Sequence, residues 1–140
     1  MSRLFWDSNL FIYLFEGQGR QFELVSNLRS AMLSRRDDLL TSTLTLGEVL
    51  VKPLERGDDL LARKYYEAIA KASIAIDFDV RAARIYAELR SDRSLRPPDA
   101  IQLACAATAE VDLFITNDSR LHSKQVSGIQ FIVPLDRAPL

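Results

Sequence analysis

Four acidic residues in this chain, Asp7, Glu48, Asp99 and Asp118, carry the chemistry that its sequence suggests. Small polar or flexible neighbours accompany them, in the segments Asp7-Ser8-Asn9, Thr45-Leu46-Gly47-Glu48, Pro98-Asp99-Ala100 and Thr116-Asn117-Asp118. Carboxylates brought together repel one another. Two unit charges about 4 Å apart do so by roughly 4 kcal/mol at an effective dielectric near 20, so several such pairs rival a domain's whole stability of about 5 to 15 kcal/mol. A cluster of these acids must therefore spread apart, take up protons or hold a cation. An all-oxygen donor set completed by water suits Mg2+ or Mn2+, whereas zinc recruits histidine or cysteine. The chain has one of each: His122, expected at the surface near the site, and Cys105, expected as a buried inert thiol in the small-residue run Leu103 to Ala107.

Each acid also has an ordinary explanation. Asp7 can cap the helix that follows it. Thr45 and Glu48 have the spacing of a capping box, in which each side chain satisfies the other's backbone amide. Asp99 can oppose a helix dipole, and Asp118 can cap a short turn before Leu121. Capping accounts for the acids singly; it does not account for their positions relative to the strands.

The elements that must bring them together are legible from periodicity. Leu4 to Trp6 reads as a strand ending on Asp7, followed by a short helix over Asn9 to Phe15 stopped near Gly17 and Gly19. Leu24, Val25, Leu28 and Met32 predict a helix over Gln21 to Arg36 with one buried stripe. Leu39 to Thr43 is a β-rich run, after which Thr45 opens a helix that carries Glu48 and ends around Pro53 to Gly57. Asp58 or Asp59 caps a helix with Leu61, Tyr65 and Ile69 on one face, a short run Ile74 to Ile76 follows, and Asp79 caps the next helix. Pro97 and Pro98 start a helix with Asp99 in its first turn and an alanine-rich body over Ala100 to Ala109. Asp112 to Thr116 and Phe131 to Val133 are the remaining strands. Strands alternating with helices predict an α/β fold, a parallel sheet covered on both faces. Ligands in such sheets bind beyond the carboxyl ends of the strands, where Asp7, Glu48 and Asp118 all fall.

The composition, 48% hydrophobic and 26% charged over 140 residues, is that of a single globular domain, taken as 1–140. There is no low-complexity stretch and no internal repeat. The apolar run Leu10 to Phe15 is too short to span a bilayer, so the expectation is a cytoplasmic protein without a membrane partner. A net charge of −1 excludes the overall basic balance common among nucleic-acid-binding proteins. Fourteen of the eighteen basic residues are nevertheless arginines, suited to phosphate, and Arg81, Arg84, Arg90, Arg93 and Arg96 crowd the approach to Asp99. Arg93 and Arg96 are the candidates for gripping a substrate phosphate; the alternative is a solvated helix face.

The segments Phe5-Trp6-Asp7-Ser8-Asn9, Thr41-Ser42-Thr43 leading to Glu48, Pro98-Asp99-Ala100-Ile101-Gln102-Leu103-Ala104 and Thr116-Asn117-Asp118 resemble, in this order, the successive motifs of PIN domains, particularly the VapC-like toxins of bacterial toxin-antitoxin pairs. The resemblance runs over nearly the whole chain. It implies a three-layer α/β/α sandwich with a mostly parallel central sheet, a pocket for one or two Mg2+ or Mn2+ ions, and endonucleolytic cleavage of RNA. It makes Asp7, Glu48, Asp99 and Asp118 the catalytic acids, with Asp7, Asp99 and Asp118 as metal ligands and Asn9, Thr116 and Asn117 as polar supports. It also implies a small antitoxin partner that covers the pocket, and a homodimer. Two departures are a serine, Ser8, where threonine is common, and Gly47 immediately before the second acid. Other acid-lined Mg2+ sites fit less well: a phosphatase of the haloacid dehalogenase kind expects an aspartate at Asn9, and a receiver domain wants adjacent early acids and a late lysine. A binding domain with a degenerate site is the non-enzymatic alternative.

Overall fold

The computed structural model describes all 140 residues. Five strands form one sheet in the order β3-β2-β1-β4-β5, and every neighbouring pair is parallel. In chain order the elements are β1 (Arg3–Trp6), α1 (Ser8–Glu16), α2 (Arg20–Arg35), β2 (Asp38–Ser42), α3 (Thr43–Glu55), α4 (Asp59–Ala72) and β3 (Ile74–Ile76). They continue with α5 (Val80–Leu89), α6 (Pro97–Ala109), β4 (Val111–Ile115) and β5 (Ile129–Val133), with short 3-10 turns at Ser119–Leu121 and Leu135–Arg137. No helix is long and apolar enough to cross a membrane.

The sheet is buried on both sides because its central strands are apolar at successive positions. Along β1, Leu4 and Trp6 join a core with Leu10, Phe11, Leu28 and Met32, under α1 to α4. Phe5 points to the opposite face, stacks on Phe114 with ring centroids 5.1 Å apart, and packs with Leu103, Ala104 and Cys105 of α6. The alanine-rich body of α6 is buried over Ala100 and Gln102 to Ala107, since short side chains let the helix lie close to the sheet. Two layers of helix enclose one of strand, as the α/β/α expectation has it.

Local chemistry sets the boundaries. Gly17 ends α1 in the left-handed conformation that glycine adopts without steric penalty. Asp58 and Asp79 cap α4 and α5 through their side chains, and Pro97 opens α6. Most boundaries fall within one residue of the sequence expectation, and two differ by two residues. Helix α3 starts at Thr43 and not Thr45, and β5 begins at Ile129 and not Phe131.

From β1 the chain winds outward through β2 to β3, then returns across the sheet to β4 and β5 on the other side of β1. The reversal leaves a switch point between β1 and β4, and the crevice beyond the carboxyl ends of those strands is where an α/β sheet accepts ligands.

Candidate active site

Asp7 is the first residue past β1, and its N–H donates to the Ile115 carbonyl at 3.1 Å, which ties it to the neighbouring strand at the switch point. Its carboxylate is held from three directions. Oδ1 accepts from the Ser8 N–H at 2.7 Å and lies 3.4 Å from the Ser8 hydroxyl, while Oδ2 accepts from the Thr116 hydroxyl at 2.8 Å. Burial nonetheless outweighs these bonds and raises the carboxyl above its ordinary value, and the nearby charge of Asp99 adds to the rise.

Ser8 couples this acid to a second one. Its Oγ lies 3.1 Å from Glu48 Oε1, and with one hydroxyl hydrogen it donates to Glu48 as the nearer carboxylate. Glu48 is also raised, first by burial and then by the charges of Asp7 and Asp99, with the Ser8 bond opposing. The capping-box explanation of Glu48 is excluded: Thr45 lies inside α3, buried, and its hydroxyl meets Thr41 and Gln102.

Asp99 sits in the first turn of α6, where Oδ2 accepts from the Arg96 N–H at 3.2 Å and from Arg120 Nη2 at 3.2 Å. Asp118 caps the 3-10 turn through the Arg120 N–H at 3.1 Å. The same carboxylate takes the Arg120 guanidinium on both oxygens, from Nε at 2.9 Å and from Nη2. Arginine therefore holds Asp118 below the usual carboxylate range, and the charge of Arg96 contributes. Thr116 joins the two halves of the site, since its hydroxyl serves Asp7 and accepts from the Asp118 N–H at 3.1 Å.

The four acids thus meet at one rim as two pairs: Asp7 with Glu48 around Ser8, and Asp99 with Asp118 around Arg120. No three of them stand close enough together to hold a metal ion between them. A magnesium-type site does not need three, because that ion binds through one or two carboxylates and keeps several waters. The all-oxygen donors, and the like charges of Asp7 and Glu48 brought together around Ser8, fit such an ion.

The remaining expected residues divide. Thr116 touches Asp7 directly. Asn9 does not support a carboxylate: it is exposed on α1, because Ser8 begins the helix facing inward and the next residue turns to solvent. Asn117 acts at one remove, accepting from the Leu135 N–H at 3.0 Å and donating to Gln21 at 3.1 Å, so it fixes the loop and not an acid. Arg96 and Arg93 are both exposed, and Arg93 pairs with no acid. His122 donates from Nε2 to the Thr116 carbonyl at 2.7 Å and is no ligand. Cys105 is buried, and burial raises its thiol to about 11. Ser8, Arg120 and the Thr45–Gln102 contact escaped sequence reasoning. The Asp118-x-Arg120 spacing was the available signal for the arginine.

Beside Glu48 an apolar groove of about 430 Å3 opens between α1, α3 and α4, lined among others by Ile12, Phe15, Val49, Leu61 and Tyr65. Phe15 and Tyr65 stack within it at 4.4 Å.

A parallel sheet with carboxylates beyond its switch point defines an α/β protein with an acidic crevice. The PIN domain family model matches residues 4–126, and the chain belongs to that family. Among solved structures it is similar to the VapBC2 complex of Rickettsia felis bound to a promoter DNA fragment, at 13% identity and a TM-score of 0.75, covering 94% of this chain and 98% of that one. FitAcB from Neisseria gonorrhoeae follows at 16% identity and a TM-score of 0.74, covering 96% and 99%. The toxin-antitoxin complex VapBC-5 of Mycobacterium tuberculosis gives 20% identity, a TM-score of 0.65 and the same coverage of 96% and 99%. At these identities the likeness is one of fold. No curated protein matches the chain in sequence.

Proposed function

We propose that the chain is a Mg2+- or Mn2+-dependent endoribonuclease, the toxin of a type II toxin-antitoxin pair. The observation that carries this reading is the grouping of Asp7, Glu48, Asp99 and Asp118 beyond the sheet's switch point, with Asp7 and Glu48 linked through Ser8 despite their mutual repulsion. Family membership and the toxin-antitoxin complexes among its structural relatives support it.

Asp7 and Asp99 would hold the ion directly, and Asp118 would do so directly or through water. A bound divalent ion supplies an acidified water and offsets charge building on the phosphate. The chain's own contribution is to position. Thr116 and the Ser8 N–H fix the angle of the Asp7 carboxylate, and Ser8 Oγ keeps Glu48 beside it, where Glu48 would orient a water. Arg96 and Arg93, exposed near the N-terminus of α6, grip the RNA backbone, a contact that reads no sequence.

The reading includes a small antitoxin that covers the pocket, with the apolar groove beside Glu48 as the adjoining surface, a homodimer, and a cytoplasmic location. Co-expression with the product of the neighbouring open reading frame restores growth if that product is the antitoxin. The direct test is RNA cleavage with Mg2+ or Mn2+ by the wild type and by Asp7→Asn and Asp99→Asn proteins that retain their fold. Cleavage by the wild type and its loss in both variants is expected; equal activity in all three removes the mechanism.

A further inference from the structure

Arg120 occupies the outer half of the acid site more completely than a surface ion pair requires. Its Nη2 donates to Asp99 Oδ2 at 3.2 Å and to Asp118 Oδ2, and its Nε donates to Asp118 Oδ1 at 2.9 Å. Three of the four carboxylate oxygens of Asp99 and Asp118 are thus engaged by one guanidinium. The cluster is partly sheltered, with side-chain exposures of 38% for Arg120, 17% for Asp99 and 25% for Asp118, so the contact is screened less than one in open solvent. The pair Asp7, half-buried, and Glu48, exposed at the edge of α3, receives no such cation; it is held by hydroxyls and a backbone N–H.

A lone pair directed at a guanidinium N–H is not available to a metal ion. We infer that Arg120 is an internal counter-cation that holds Asp99 and Asp118 together in the ion-free protein and competes with a divalent ion for their oxygens. The inference rests on the reading of the acids as a metal site and adds a residue that regulates its occupancy. Entry of the ion requires the guanidinium to swing off at least Asp99, which a side chain anchored on a short 3-10 turn can do by rotating about its own χ angles. The arrangement has two consequences. The ion-free site is kept from opening under its own repulsion, and the apparent affinity for metal is lowered by the cost of displacing the arginine.

The test is Mn2+ binding to the purified full chain without RNA, read by titration calorimetry or by the loss of the free-ion paramagnetic signal. Wild type is compared with Arg120→Gln and Arg120→Lys, the latter keeping the charge but losing the fork that engages both acids. Arg120→Gln should bind Mn2+ about tenfold more tightly than wild type, with Arg120→Lys between them, the size expected for removing one charge-assisted pair. The ion-free Gln variant should also unfold at a lower temperature, so that Mn2+ raises its melting point by more than it raises that of wild type. The sign is diagnostic, because a residue that merely supports the fold would weaken metal binding when removed. Unchanged or weaker Mn2+ binding in a folded Arg120→Gln protein overturns the inference and leaves the metal site standing. If wild type and both variants all fail to bind Mn2+, the reading of the acids as a metal site fails and the inference falls with it.

Discussion

Replacing Gln102 with leucine tests whether the acids are positioned by a buried polar relay. Gln102, Ser42, Thr41 and Thr45 are all buried where β2, α3 and α6 meet. The Thr41 hydroxyl serves the Trp6 carbonyl at 2.9 Å, and with its single hydrogen so used, the 2.8 Å contact between Thr41 and Thr45 is donated by Thr45. Gln102 Nε2 donates to Thr45 at 2.9 Å, and the Ser42 hydroxyl donates to Gln102 Oε1, so the chain of bonds runs in one direction with every hydroxyl hydrogen used. Leucine is close to glutamine in size, so Gln102→Leu leaves little cavity; it deletes two hydrogen bonds and orphans the Ser42 hydroxyl. Two bonds at about 1 kcal/mol each and one buried unsatisfied donor at roughly 1 to 3 kcal/mol give an expected loss of about 3 kcal/mol. In a chain of this length that lowers the melting temperature by roughly 10 °C. Urea and thermal unfolding measure it. Ser42→Ala removes the orphaned donor, so the Ser42→Ala/Gln102→Leu double variant should lose about 1 kcal/mol less than the sum of the two single losses. Thr45 lies one turn before Glu48 and Gln102 one turn after Asp99, so RNA cleavage should also fall in Gln102→Leu at temperatures where the variant is folded. A loss of stability below about 1 kcal/mol, or strict additivity in the double variant, refutes the relay.

Two further outcomes follow from local geometry. A group whose carboxyl is raised by folding, as Asp7 is by burial, binds its proton more tightly in the folded than in the unfolded chain. Its contribution favours folding below the ordinary carboxylate pKa of about 4 and is lost as pH rises through the raised value. With a chelator present, Asp7→Asn should therefore gain stability relative to wild type as pH rises from acid to neutral, read as the difference in urea midpoint; a pH-independent difference disproves the assignment. Gly128 has φ +97, and a Cβ there would lie 2.6 Å from the Ala107 carbonyl oxygen and 3.0 Å from its Cα. Gly128→Ala should cost about 2 kcal/mol or more, since the obstructing atoms are backbone, and a wild-type urea midpoint would contradict the close approach of α6 to the segment before β5.

The features visible in the sequence are those decided locally. Apolar runs ending on Asp7 and beside Asp118, the caps Asp58 and Asp79, and the Pro97–Pro98 start signal their own structure, and the strand order then follows from few alternatives. What stayed hidden was decided across the fold. Thr45 reads as a capping residue, yet its hydroxyl is satisfied by Gln102, 57 residues away, so α3 can begin two residues earlier without it. Ser8 and Asn9 are equally plausible supports on paper; which one faces Glu48 depends on where the first turn of α1 points, and that is set by packing of Leu10 and Phe11 in the core. Arg120 drew no expectation because the direction of a three-residue turn cannot be read from its composition.

The two halves of the site carry their charge under opposite conditions, and that difference bears on how it works. At the first pair, Asp7 is half-buried, Glu48 stands at the exposed edge of α3, they share one hydroxyl and have no cation beside them, and partial desolvation with mutual charge pushes both toward holding a proton. At the outer half, Asp118 is kept ionised by an arginine on the same turn. A cation brought to the first pair relieves a penalty that the fold has already incurred, whereas at the outer half it must first replace a counter-ion that is already there. On the proposed reading a divalent ion would therefore gain most around Asp7, which Thr116 and the Ser8 N–H hold at a fixed angle. Asp99 belongs to both halves: its charge raises Asp7 and Glu48, and its Oδ2 accepts from Arg120.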